Sequence, residues 1–175
     1  DDDDRKSSIS DIVICHTSRS AYYPDGSVII QPTMGCNAKV IAPNGKAVAK
    51  RVLLGAYLKD GTGACPTCCQ MGSKKTYIAV GGFDESFRRH EDTEFVVRVA
   101  LAGGHFLGID KALVAQNMVL GKKSLDEEFK LHRRVLEKHR PFIEAEGSFL
   151  FCELWLKMKY GYLSRDLSVV ATMGL

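Results

Sequence analysis

Between Gly81 and Gly104 the chain reads GGFDESFRRHEDTEFVVRVALAGG, setting His90, Glu91 and Asp92 side by side at the head of an apolar run. A carboxylate at a helix start, flanked by Arg88, Arg89 and His90, is a candidate general base toward a hydroxyl held nearby. The same acids also suit a structural duty. Asp92 or Thr93 can cap the helix, and Glu91 complements the positive end of its dipole. Capping accounts for one or two acids. It leaves unexplained the turn Gly81-Gly82-Phe83-Asp84-Glu85 just upstream, and the crowding of a His and two arginines at one corner.

The elements that must position these groups follow from periodicity and punctuation. Residues 11–16 and 27–31 are short β-rich apolar runs joined across the turn Pro24-Asp25-Gly26, and both predict strands. Residues 35–46 carry Gly, Pro and Asn-Gly and predict an exposed connection. Residues 50–58 have helical spacing, with Asp60-Gly61-Thr62-Gly63 as the stop. Residues 64–71 predict a buried strand or loop, and 75–80 a short helix or turn ending at Gly81-Gly82. The helix from Glu91 presents Phe95, Val96, Val99, Ala100 and Ala102 on one face and ends at Gly103-Gly104. Residues 105–109 and 112–116 predict two strands. Ser124 and Glu127 match a capping box opening a charged helix to about His139, and Pro141 opens a second, more apolar helix from Phe142 to about Tyr160. The pattern is α/β, without enough βα units for a complete doubly wound sheet.

Composition narrows the function classes. The chain has 175 residues, 45% of them hydrophobic and 26% charged, which excludes wholesale disorder. A formal net charge of +3 with scattered basic residues gives no aromatic-interleaved basic stripe, so no nucleic-acid partner is expected. No apolar run is long enough to span a bilayer. The six cysteines do not form a secreted disulfide framework, several lying in apolar runs as small hydrophobes, and a cytoplasmic location is the expectation. Cys65-Pro-Thr-Cys68-Cys69 contains a CxxC spacing, but no second ligand pair completes a zinc site.

GGFDE, an Arg-x-x-Glu-Asp turn (Arg88 to Asp92), an apolar helix containing Arg98, a terminating Gly and a strand together resemble family 2 glycosyltransferases of the GT-A fold. Residues 78–104 carry the specific part of the likeness; the order of elements extends it over 11–116. The resemblance implies the acceptor-side half of a GT-A-like mixed sheet with flanking helices over 11–120, and a C-terminal helical region over 121–175. It implies inverting transfer of a sugar from a nucleotide-diphosphate donor to a saccharide or lipid-linked acceptor, with Asp92 as general base. Glu91 would shape the acceptor site. Gly81 and Gly82 would admit close backbone approach to the sugar. Arg88, Arg89 and His90 are candidates for acceptor or diphosphate contact, Asp84 and Glu85 would fix the turn, and Arg98 would pair with an acid inside the domain.

The family's donor-binding half, ending in an Asp-x-Asp motif that holds a divalent cation (Mg or Mn), has no counterpart within 11–175. Residues 1–10 are read as a cut edge, a tag remnant, or the tail of that motif; in the last case Asp2 and Asp4 would be metal ligands. The cation is expected with the intact enzyme rather than with this stretch. The alternative function is a non-catalytic saccharide-binding or assembly module. His132 and His139 lie among basic residues, either on a solvated face or in a cradle for an anionic acceptor. The aromatic tail Phe149, Phe151, Trp155, Leu156 and Tyr160 suits core packing, a homodimer contact, or peripheral contact with the inner face of a membrane.

Overall fold

A computed structural model describes residues 11–38, 41–119 and 124–165. Its centre is β1 (Val13–Tyr22), whose alternating burial puts Ile14, His16 and Ser18 on the covered face. β4 (His105–Asn117) runs parallel to β1 along its whole length. A strand has two edges, so the other edge is shared. β2 (Val28–Gln31) pairs antiparallel with residues 19–22, and β3 (Gln70–Gly72) pairs antiparallel with residues 14–16. The fold is mixed α/β.

Among the described residues six α-helices accompany the sheet: α1 (Gly45–Leu54), α2 (Lys74–Ala79), α3 (Glu91–Leu101), α4 (Leu125–Lys138), α5 (Arg140–Glu146) and α6 (Phe149–Ser164). Among the described residues no helix is long and apolar enough to cross a membrane. The helix predicted at 50–58 begins five residues earlier and ends four earlier. The Asn-Gly pair read as loop punctuation supplies its N-cap, Asn44, and first residue, while Gly55 closes it in the left-handed conformation at φ 68°. The two strands predicted at 105–109 and 112–116 are one. Asp110 and Lys111 are absorbed by a bulge opposite Thr17 and Ser18 rather than ending the ladder. The long C-terminal helix is two, because Gly147 (φ −173°, ψ −136°) breaks it and Ser148 caps the next by accepting from the Phe151 amide. The Ser124 cap forms as predicted, its side chain accepting from the Glu127 amide.

Two apolar clusters fill the interior, and α3 separates them. Phe95, Val96, Val99 and Ala100 pack with Ile14, Phe106, Val48 and Ala49 on the sheet side. Val97, on the opposite face, packs with Leu136, Ile143, Phe149 and Leu156 of the C-terminal helices. A helix buried on both faces has little solvent stripe. Even its one fully buried acid, Glu94, is enclosed.

That acid is paired on every side. Arg98 grips it with Nε (2.8 and 2.9 Å) and Nη2 (2.7 Å), Lys138 Nζ lies at 2.7 Å, and His139 Nε2 at 3.4 Å. Arg98 also donates to the Val80 carbonyl, and Lys138 reaches Asp84 at 2.7 Å, so one carboxylate joins the turn before α3, α3 itself and the end of α4. Burial alone would push the Glu94 carboxyl up, but the bonds from His139, Arg98 and Lys138 outweigh it and bring it down to about 2. Burial lowers His16 to about 4, its Nδ1 bonded to the Thr33 hydroxyl, and burial with the neighbouring His90 lowers His132 to about 3.

All three groups have folded-state values below their unfolded ones, so unfolding takes up protons and stability falls as pH drops. The loss should begin below about 6.5 through the two histidines and continue from about 4.5 toward 2 through Glu94. Glu94→Gln strips Arg98 of its counter-charge, leaves Lys138 with Asp84 alone, and should cost about 3 kcal/mol at pH 7. Urea unfolding across pH should show the variant's penalty shrinking below pH 4.5; a penalty that stays constant to pH 2 would contradict the pairing.

Candidate functional site

The GGFDE turn is built from local chemistry. Gly81 and Gly82 adopt φ +81° and +65°, and their amides donate to Ile78 (3.1 Å) and Tyr77 (2.8 Å) to close off α2. Phe83 then packs on Phe95 with ring centroids 4.5 Å apart, and Tyr77 stacks on Phe95 at 5.3 Å. Asp84 accepts from the Ser86 amide at 2.9 Å and pairs with Lys138, whose bond leads the causes holding its carboxyl well below the usual range. The turn is therefore a structural clamp on the head of α3.

At that head the N-cap is His90, in the left-handed conformation at φ 60°, with no side-chain cap bond. Neither Asp92 nor Thr93 caps the helix. Asp92 lies inside the first turn, and its Oδ1 accepts from the Thr93 amide at 2.6 Å and the Thr93 hydroxyl at 3.2 Å. Its Oδ2 has no protein partner among the described residues. The side chain borders a cavity of about 180 Å³ together with Thr93, Arg51, Gly61, Gly63 and Cys65. Burial, and after it the charge of Asp92, push the Cys65 thiol far up, so Cys65 faces the carboxylate as a neutral, inert wall.

The other sequence-predicted residues fall elsewhere. Arg89 and His90 both turn to Glu128 of α4, His90 Nε2 lying 3.4 Å from it, and the His90 ring packs at a tilt against His132 at 4.7 Å between centroids. Glu91 accepts from the Thr67 hydroxyl at 3.2 Å. None of these three, nor Gly81 or Gly82, lines the Asp92 cavity. Arg98 is spent on Glu94. Asp2 and Asp4 lie outside the described residues, and among the described residues no three His, Cys, Asp or Glu side chains gather to hold a metal ion. Cys65 and Cys69 are buried free thiols, Cys69 raised to about 11 chiefly by burial, while Cys68 is exposed.

What the sequence reading missed is the opposite wall. Gly61 and Gly63 look like a helix stop, yet the chain there passes directly over Thr33 and Met34: a Cβ on Gly63 would lie 2.6 Å from the Thr33 carbonyl carbon. Two glycines spaced by one residue are a signal for such close approach, as well as for a stop. Arg51 was hidden as one cation among several in α1. A larger opening of about 670 Å³, bordered by Asn37, Asn44, Lys59 and Asp60, does not include Asp92. No family model, curated protein or solved structure matches this chain.

Gly63 and Gly82 both sit at positive φ, but only Gly63 is crowded; nothing lies within 4 Å of a Cβ on Gly82. Gly63→Ala should cost roughly 2–4 kcal/mol through clash plus backbone strain, and Gly82→Ala about 1–2 kcal/mol through strain alone. Chemical denaturation of the two variants checks the order; equal costs would mean the Gly63 wall is looser than described.

Proposed function

We propose that this chain is the acceptor-side half of a GT-A-type glycosyltransferase, and that Asp92 is its general base. The observation carrying this reading is the state of the Asp92 carboxylate. One oxygen is held by Thr93, the other has no protein partner among the described residues, and the side chain borders a cavity rather than capping its helix. A fixed carboxylate with a spare oxygen at an opening can accept a proton from a hydroxyl seated there. The acceptor oxygen then attacks the anomeric carbon of the donor, the bond from that carbon to the nucleoside diphosphate breaks, and the diphosphate leaves with the electron pair. A single displacement inverts the configuration. Arg51 supplies a positive charge across the same cavity, available to an anionic substrate.

The mixed sheet with α3 lying across it, and the clamp of the GGFDE turn on the head of α3, are consistent with that architecture. The divalent cation that the family likeness implies calls for a cluster of hard oxygen ligands, which the described residues do not gather, so no step here runs through it. The donor is expected to be a nucleotide-diphosphate sugar and the acceptor a saccharide or lipid-linked hydroxyl.

In the intact enzyme, with its donor-binding half present and given a panel of nucleotide sugars and manganese, Asp92→Asn should lower turnover about 10²–10⁴-fold and leave affinity for the nucleoside diphosphate unchanged. Undiminished turnover removes Asp92 as the base. Saccharide binding with neither turnover nor nucleotide affinity would instead favour a non-catalytic binding module.

A further inference from the structure

The Asp92 cavity shares a wall with a second, larger depression. Arg51 and Val52 of α1 border both. Beyond them the chain forms a groove of about 470 Å³ between the end of α1, α4 and α6, walled by Leu54, Leu136, Phe151 and Trp155. Its volume lies in the range of small-molecule sites, whereas the Asp92 cavity of about 180 Å³ holds only the equivalent of about six waters at ~30 Å³ each. Phe151 and Trp155 are 60% and 57% exposed, on a helix that also leaves Leu150, Leu154, Tyr162 and Leu163 exposed.

The groove's charge is one-sided. Arg51 and Lys159 line it beside a neutral His132, and no acid does. Arg51 has no ion pair or hydrogen bond among the described residues, and Lys159 has no acidic partner there. This contrasts with the neighbouring cations Lys50, Arg133, Lys138 and Arg140, each of which is paired. His132 also keeps a buried Nδ1 with no hydrogen-bond partner. An apolar trough edged by unneutralised cations is complementary to a molecule with an anionic group and a hydrocarbon chain.

We propose that this groove binds the hydrocarbon chain of a lipid phosphate, with the phosphate at Arg51 and the sugar-bearing or hydroxyl end reaching into the Asp92 cavity. The sequence of sites along the protein (carboxylate, guanidinium, apolar trough) matches hydroxyl, phosphate and chain along such a molecule. The proposal rests on the transfer reading and names its acceptor class: an anionic amphiphile rather than a free saccharide.

Trp155 is the sole tryptophan of the chain, so its fluorescence reports on the groove alone. Decyl phosphate, kept below its micelle concentration, should shift Trp155 emission to the blue saturably, with one molecule bound per chain. Inorganic phosphate should leave the emission unchanged, and decyl maltoside should bind at least 10-fold more weakly. Arg51→Gln should weaken decyl phosphate about 10-fold, the loss expected for one charge-assisted contact. If that variant does not fold, Lys159→Gln should weaken it about 3-fold. Equal affinity for decyl phosphate and decyl maltoside overturns the proposal. So does an unchanged affinity in a folded Arg51→Gln. An equal blue shift from phosphatidylcholine vesicles would make the face a bilayer contact, and a concentration-dependent dimer that blocks decyl phosphate would make it a contact between copies; either overturns the lipid-phosphate site. The readout needs no turnover. Failure here with an inactive Asp92→Asn removes only the groove, and binding here with an active Asp92→Asn removes only the transfer reading.

Discussion

A single buried carboxylate organises this molecule. Glu94 lies in the middle of α3, fully enclosed, where an unpaired charge would be prohibitive. It persists because Arg98, Lys138 and His139 converge on it from three directions, and Arg98 and Lys138 are in turn tied to Val80 and Asp84 of the turn before α3. Electrostatic pairing in a low-dielectric interior is directional in a way that apolar contact is not. It sets the rotation of α3 about its own axis and the seating of α4 against it. Both the position of Asp92 at the head of α3 and the groove between α1, α4 and α6 depend on that seating.

The opposite wall of the site is governed by the absence of side chains. The loop runs against Thr33 and Met34 too closely for a Cβ at Gly63, while Gly61 is closed against the Leu58 side chain, and this brings Cys65 beside Asp92. The cavity is thus made by one helix held rigidly by charge and one loop held close by lack of bulk. Arg51 enters from the last turn of α1, where a cation also complements the helix dipole, and links the cavity to the apolar trough beyond.

Legibility in the sequence tracked how local the determining forces are. α3 and α4 were readable because an apolar face, an acidic first turn and the serine of α4 are short-range signals. α1 was displaced because Asn44-Gly45 looks equally like a loop and like a helix start, and only the packing of Val48 and Ala49 under the sheet selects the second. β4 was split because Asp110-Lys111 is a turn signal, and its continuous pairing with β1 overrides that signal through a bulge. Of the candidate site residues, Asp92 borders a cavity, while Arg89 and His90 are drawn onto Glu128, a partner 38 or more positions away that no local pattern announces.

The sequence by itself determined the chemistry at hand: three ionisable groups at a helix head, a glycine-flanked acidic turn before them, and an aromatic C-terminal segment. Those follow from residue type and spacing, which act over one or two turns of chain. Only the tertiary structure decided which carboxylate keeps an oxygen free among the described residues, which cations are neutralised there and which are not, and that Arg51 stands between a polar cavity and an apolar trough. Charge pairing and close backbone approach are settled by groups far apart in the chain, so they come into being only when α1, α3, α4 and the Gly61–Gly63 loop are packed together.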